Sequence, residues 1–189
     1  MTKPFSQNII FFDTEFTSLD PNKSELISIG LVKPSGEELY LELEYNSEPS
    51  EWVKKNVLPY LNGQKISKKE AVKRVIDFVG DTKPHIVGHI NQDDVMLWQK
   101  LLMSVDPDRT VDATFYPFNL ISIDFAAVLF ALGINPATYH LGEKNDFFNK
   151  IGINNKKYNK HNALDDAKLL REVYLKLVDN PDKFLEQVK

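Results

Sequence analysis

The chain has 189 residues, 42% hydrophobic and 26% charged, which is typical of one globular domain over residues 1–189. It contains no cysteine, which excludes disulfide scaffolds, thiolate metal sites and cysteine nucleophiles, so that a bound metal would need oxygen or imidazole ligands. The formal net charge of −4 argues against a protein that holds nucleic acid by bulk positive charge.

Neither a membrane span nor a signal peptide is visible in the sequence. No stretch reaches about 18 consecutive apolar residues, the minimum for a membrane-spanning helix. The N-terminus lacks the long apolar region and the small-residue cleavage site of a signal peptide. We therefore expect a cytoplasmic protein with no membrane partner.

Hydrophobic periodicity and turn residues divide the chain into three strands followed by alternating helices and strands. Strands are predicted, in chain order, over 8–13, 24–36, 37–45, 84–90 and the first part of 119–134. Helices are predicted over 47–61, 66–80, 93–105, the second part of 119–134, 143–153 and 161–178. Because the first three strands are joined by turns, they predict an antiparallel meander, and the whole order predicts an α/β domain with helices on the faces of a mixed sheet.

Two acids stand at the end of the first strand. Asp13 and Glu15 follow the apolar run 9–12, and alternate residues of a strand point to the same side, so both carboxylates should share one face. Such a pair is either a solvated strand end or a site for divalent cations, which prefer carboxylate oxygens.

Two further acidic clusters lie at the beginnings of helices. Asp93 and Asp94 follow the strand over 84–90, where an acid can also act as an ordinary helix cap. The segment HNALDDA brings His161 and Asp166 to the start of the last helix, five residues apart. The two side chains need not touch at that spacing, but they can converge on one site if His161 lies in a loop before the helix.

A strand-end D-x-E, an Asp after a mid-chain strand and a C-terminal H-x-A-x-x-D resemble, in this order, the DEDD-type 3′–5′ exonucleases of the DEDDh branch. That family includes bacterial proofreading exonuclease subunits, ribonuclease T and oligoribonuclease. The resemblance extends from residue 8 to about residue 178. It implies a ribonuclease H-like fold, with the three-strand antiparallel meander and parallel strands in one mixed sheet flanked by helices.

The resemblance also implies a two-metal active site. Carried over by position, Asp13, Glu15 and Asp166 would be catalytic carboxylates that hold two divalent cations, Mg²⁺ or Mn²⁺, together with a middle Asp. His161 would be the general base, because an imidazole with a pKa of about 6.5 can accept a proton from water at neutral pH.

The middle ligand is Asp94 or Asp93, and two arguments favour Asp94. Counting from the Gly-His of GHINQDD places the ligand at Asp94, although Ile90 stands where the family usually has Asn. From Asp94 the helical positions three, four, seven and eight residues on are all apolar, whereas from Asp93 the seventh is Lys100.

Substrate contacts are expected from two segments. In the altered loop after the first motif, Thr17 and Leu19 match the family positions that touch the 3′-terminal nucleotide, while Phe16 would stack on a base or belong to the core. Lys157 and Lys160 precede His161, where they would contact phosphates or form a solvated loop.

The expected function is metal-dependent hydrolysis of the 3′-terminal phosphodiester of single-stranded RNA or DNA, which releases 5′-mononucleotides. RNA is slightly favoured because the segment from DTEF to ELISIG is closer to a small bacterial subgroup thought to act on RNA. The partners are then 3′ ends, with a possible homodimer as in many relatives. The alternatives are a non-catalytic nucleic-acid-binding or assembly module on the same fold, and an unrelated phosphohydrolase or calcium-binding domain.

Overall fold

The computed structural model describes residues 4–61, 63–108, 114, 116–140 and 146–188. Its strands are β1 Ile9–Phe16, β2 Leu26–Val32, β3 Glu38–Leu43, β4 Lys65–Ile66, β5 His85–Gly88 and β6 Ile123–Asp124. Its α-helices are α1 Glu51–Asn56, α2 Lys68–Val79, α3 Gln92–Val105, α4 Phe125–Ala131, α5 Ala137–His140, α6 Phe147–Lys150, α7 Ala163–Asp179 and α8 Pro181–Val188. Short 3₁₀ turns cover Leu58–Tyr60, Gly80–Thr82 and Asn155–Lys157.

The strands form one mixed sheet in the order β4–β3–β2–β1–β5–β6. β1, β2 and β3 pair antiparallel, as the turn-linked pattern predicted. β5 pairs parallel to β1, β6 pairs parallel to β5, and β4 pairs parallel to β3. β1 therefore has a strand on each side, which makes it a rigid support for the residues at its carboxyl end.

The alternation of β1 divides the core between the two faces of the sheet. Ile9 and Phe11 pack in an apolar cluster with residues of α4, α6 and α7, whereas Ile10 and Phe12 pack in a second cluster with residues of α2 and α3. Helices thus cover both faces, and the α/β prediction is confirmed. Continued along β1, the same alternation directs Asp13 towards the face covered by α7.

Some element boundaries differ from the sequence-based ones for local reasons. The second strand ends at Val32 because the chain turns at Pro34–Gly36, where Gly36 has a φ of 97°. α1 begins later than predicted, after Ser50, whose hydroxyl accepts a hydrogen bond from the Val53 N–H. β4, α5 and α8 were not predicted, and residues 143–145 of the helix predicted over 143–153 lie outside the described residues. In the described parts of the chain, no helix combines the length and the apolar character needed to cross a bilayer.

Candidate active site

The acids of β1 remain on one face because the strand is regular up to Glu15. Asp13 lies opposite Gly30 of β2 and Glu15 lies opposite Ser28, and the register shifts only between Glu15 and Phe16. The β-bulge therefore follows the second carboxylate instead of separating the two. The register therefore places Asp13 and Glu15 on one face of the sheet, as the sequence predicts.

Asp94 is bound to the residue between these two acids. Its Oδ1 accepts hydrogen bonds from the Thr14 N–H at 2.9 Å and from the Thr14 hydroxyl at 2.5 Å. Asp94 is only 7% exposed and lines the same cavity as Asp13, whereas Asp93 does not line it. This placement supports Asp94 as the middle acid of the site.

Asp166 and His161 come from the start of α7. The helix is capped by Asn162, whose side-chain oxygen accepts from the Asp165 N–H at 3.1 Å. Asp166 Oδ2 accepts from the backbone N–H of His161 at 2.8 Å, and His161 itself has a left-handed φ of 64°. The backbone therefore reverses just before the helix and brings the imidazole back towards the carboxylates.

A glycine on β2 allows α7 to begin so close to the sheet. A Cβ added at Gly30 would lie 2.3 Å from the carbonyl carbon of Ala163, a distance that real Cβ atoms do not reach. Gly30 pairs with Asp13, so this close approach brings the first turn of α7 directly beside the first carboxylate.

The loop before His161 is fastened to α7 at two points. Asp165 Oδ2 accepts from the backbone N–H of Asn159 at 2.9 Å and from its side-chain amide at 3.0 Å. Glu172 accepts from the Tyr158 hydroxyl at 2.8 Å and forms an ion pair with Lys157 at 2.9 Å. These contacts fix the loop before His161 against α7, and the bond to Asp166 fixes the backbone of His161 itself.

Burial of the carboxylates raises their pKa values. The pKa of Asp13 lies well above its usual range, first because of burial and then because of the nearby Asp94, Asp166 and Glu15 carboxylates. Burial raises the pKa of Glu15 to about 8, that of Asp166 to about 7 and that of Asp94 to about 6. Without a cation, the cluster therefore keeps protons near neutral pH.

The donor set suits hard divalent cations. Glu15, His161 and Asp166 each offer one ligand atom, and these atoms lie within 4.8 Å of one another. Asp13 and Asp94 add further carboxylates to the same cavity. Oxygen-rich sites of this kind fit Mg²⁺ or Mn²⁺, and the positive charge of bound cations would offset the burial and the like-charge repulsion that raise the pKa values.

The carboxylates line a cavity of about 580 Å³. Its other polar and apolar walls come from the following residues: Thr14, Phe16, Tyr60, His89, Ile90, Tyr139, Phe148, Asn155, Lys156, Tyr158, Asn159, Lys160, His161, Leu169 and Leu170. Of the five residues predicted to bind substrate, Phe16 and Lys160 line this cavity.

The other three predicted substrate residues have different surroundings. Thr17 is fully buried, and its hydroxyl accepts from the Glu25 N–H at 3.1 Å. Leu19 is 82% exposed and Lys157 is paired with Glu172, and neither is part of the cavity wall. Their roles in substrate binding remain predictions.

Several residues of the site were not found from the sequence. Trp52 meets the His161 ring edge-on, with ring centroids 4.8 Å apart, and Tyr139 stacks on His89 with centroids 4.2 Å apart. These contacts join segments that are distant in the chain, so neither periodicity nor motif spacing could indicate them. Ile90 was noted only as a departure from the family pattern, although its exposed apolar side chain lines the cavity.

The mixed six-strand sheet, with helices on both faces and a cavity lined by carboxylates at the end of β1, is a fold that comparisons with solved structures also find. E. coli exonuclease I in complex with a dT13 oligonucleotide has a TM-score of 0.64 at 18% identity, covering 91% of this chain and 41% of that one. The zinc-bound form of the E. coli ExoI–ssDNA complex has a TM-score of 0.62 at 14% identity, covering 93% and 41%. The fold predicted from the resemblance is therefore confirmed.

A relationship to a further protein is visible in the sequence itself. The chain is 28% identical over 181 residues to a PolC-type DNA polymerase III of Thermotoga maritima, an alignment that covers 90% of this chain and 12% of the polymerase. No protein-family model matches the chain. The chain thus spans only about an eighth of the polymerase and about two fifths of the exonuclease I chains.

Proposed function

We propose that the protein is a metal-dependent 3′–5′ exonuclease that hydrolyses the terminal phosphodiester of single-stranded nucleic acid and releases 5′-mononucleotides. One observation carries this proposal: carboxylates from three separate elements, β1, α3 and α7, converge on one cavity beside a histidine. A non-catalytic binding module would have no need for this arrangement, because each buried carboxylate is held at a cost to the metal-free fold.

Asp13, Glu15, Asp94 and Asp166 would hold two divalent cations. When bound, such ions polarise the phosphate and lower the pKa of an attacking water. The contribution of the chain itself is to fix the acids: the β1 ladder orients Asp13 and Glu15, and Thr14 orients Asp94 through two hydrogen bonds.

His161 would take the proton of the attacking water at its imidazole. The proton acceptor must be neutral before the step and cationic after it, and a ring nitrogen of His161 lies within 4.8 Å of carboxylate oxygens of Glu15 and Asp166, beside the position of the water. Lys160 lies in the cavity wall and lowers the pKa of Asp166 by its charge, so it is suited to meet the phosphate chain. Phe16 and Tyr60 provide apolar ring surface for a base.

The test is digestion of a 5′-labelled single strand with Mg²⁺ or Mn²⁺ and, in parallel, with EDTA. We expect a ladder that shortens from the 3′ end only with metal, with 5′-mononucleotide as the product. Asp13→Asn, Asp94→Asn and Asp166→Asn should reduce digestion to background. Asp93→Asn is the matched control, because Asp93 lies next to Asp94 but outside the cavity wall, and it should retain activity.

Two results would contradict the proposal: equal digestion in EDTA, or binding of the strand with no cleavage under any metal. The RNA preference expected from the resemblance has no support in the solved neighbours, which are complexes with a dT13 oligonucleotide and with ssDNA. Matched RNA and DNA strands of one sequence measure that preference directly, and size-exclusion chromatography with light scattering tests the possible homodimer.

A further inference from the structure

Ile90 has a backbone conformation that β-branched residues avoid. Its φ is 57°, in the left-handed region, where the branched Cβ crowds the backbone. Among the described residues with positive φ, the others are glycines, Lys83, Asp146 and His161, none of them β-branched. A strained residue of this kind persists only where the surrounding structure holds it in place.

The turn around Ile90 is held by several contacts. Asp124 Oδ1 accepts from the Ile90 N–H at 2.8 Å and also from the Ala126 N–H at 2.9 Å, at the start of α4. On the next residue, the side-chain amide of Asn91 donates to the Ile123 carbonyl at 3.2 Å. A Cβ added at Gly88 would lie 2.5 Å from the Cβ of Asn91, so the turn is also compact.

The side chain of Ile90 does not serve the core. It is 44% exposed and belongs to none of the apolar clusters in the described part of the chain. Instead it lines the cavity, between His89 and the helix that carries Asp94. The protein therefore keeps a strained, exposed isoleucine in the wall of the cavity that holds the carboxylates.

We propose that Ile90 is a substrate contact that packs against the sugar and base of a nucleotide in the cavity, an inference that rests on the proposed function. An isoleucine offers no hydrogen bond to a phosphate or to a base edge, so its contact is apolar and indifferent to base identity. The turn fixed by Asp124 holds this apolar surface towards the cavity. The backbone strain at Ile90 is then retained because it improves substrate binding. At this residue, a gain in substrate affinity comes with a loss in the stability of the fold.

The test compares Ile90→Asn, Ile90→Gly and Ile90→Val. Asn and Gly tolerate the left-handed region, so both variants should have a Tm equal to or above that of the wild type. Both should raise the KM for a single-stranded oligonucleotide with Mg²⁺ by about fivefold to tenfold, with a smaller change in kcat. Ile90→Val keeps the apolar surface and should retain the wild-type KM within about twofold.

Strand affinity is measured separately by fluorescence anisotropy with Mg²⁺, on a strand whose 3′-terminal linkage is a phosphorothioate. Together with the cleavage assay, this measurement distinguishes failure of this inference from failure of the proposed function. If the wild type cleaves and Ile90→Asn leaves KM and strand affinity unchanged, the role of Ile90 is wrong while the function stands. If the wild type binds without cleaving and Ile90→Asn weakens binding, the function is wrong and the contact stands. A lower Tm in both Asn and Gly variants would instead show that the side chain supports the fold, and would overturn the proposal.

Discussion

Thr14 donates both its backbone N–H and its hydroxyl to the same carboxylate oxygen of Asp94, at 2.9 and 2.5 Å. The residue between the two acids of β1 thus fixes the acid of α3. Thr14→Val keeps the shape but removes the hydroxyl, so we expect about a tenfold higher Mg²⁺ concentration for half-maximal activity. Thr14→Ser is the control and should behave like the wild type. An unchanged Mg²⁺ requirement in Thr14→Val would contradict a positioning role.

The metal-free protein should lose stability as the pH rises through neutrality. Glu15 and Asp166 have pKa values raised to about 8 and about 7, so the folded state binds more protons than the unfolded chain. Their contribution is fully present below the unfolded pKa values of about 4 and is lost between about pH 4 and 8. In EDTA, the Tm should therefore be higher at about pH 6 than at about pH 8.5.

Two controls separate this effect from general pH dependence. Asp166→Asn removes one titrating group and should flatten the change in Tm. Mg²⁺ should raise the Tm most at about pH 8.5, where the carboxylates are ionised and repel one another. Glu25 does not contribute to the change in Tm between about pH 6 and about pH 8.5. Burial raises the pKa of Glu25, but the hydrogen bonds that it accepts from Lys68, Asn46 and Ser47 outweigh burial and lower the pKa to about 2. A metal-free Tm that rises from about pH 6 to about pH 8.5 would exclude the carboxylate cluster as the cause.

Gly30→Ala should damage the site through α7. The added Cβ would meet the carbonyl of Ala163 at 2.3 Å, so the first turn of the helix must move and take Asp166 and His161 with it. We expect a loss of about 1–3 kcal/mol in the free energy of unfolding, measured by denaturant titration, and a larger relative loss of activity. Gly80→Ala is the control, because a Cβ added there has no neighbour within 4 Å. The strain in that variant comes only from placing an alanine at a φ of 68°. Equal activity losses in the two variants would contradict the argument.

Trp52 should affect turnover more than substrate binding. It is 53% exposed, and its ring meets that of His161 at 4.8 Å with an interplanar angle of 80°. We expect Trp52→Ala to lower kcat about tenfold by freeing the imidazole, and Trp52→Phe to restore most of it. In a His161→Ala background, Trp52→Ala should have no further effect on kcat, because a residue that acts only through His161 has nothing left to position.

Phe130→Ala is the matched control for Trp52. Phe130 is a 76% exposed aromatic residue of α4 that does not line the cavity, so its removal should leave kcat and KM unchanged. If Trp52→Ala instead raises KM in both backgrounds with kcat unchanged, the indole binds substrate directly and the positioning role is wrong.

The parts of the site that follow from local periodicity could be predicted from the sequence. Alternation along β1 was sufficient to align Asp13 with Glu15, and helix phase was sufficient to prefer Asp94, because the apolar positions that follow it are buried. The contacts of Trp52 and Tyr139 could not be predicted, since they depend on how distant segments pack.

Backbone conformation was equally inaccessible to sequence reasoning. Nothing in the pattern around Ile90 indicates a left-handed residue, and the isoleucine itself argues against one. Likewise, the family positions carried over to Thr17 and Leu19 gave no information on burial, which is complete for the first and nearly absent for the second. Such features arise from the tertiary fold and from the hydrogen bonds that enforce it.

The register shift after Glu15 has a consequence for protein engineering. Upstream of it, each residue of β1 is fixed by its neighbouring strands, so an insertion there would rotate a carboxylate to the wrong face. Downstream, the segment 17–25 is held by bonds from Ser50 and Lys100 instead of by a ladder. That segment could be exchanged for one of different sequence without moving the acids, and under the proposed function such an exchange would test whether Thr17 and Leu19 influence which strand ends are accepted.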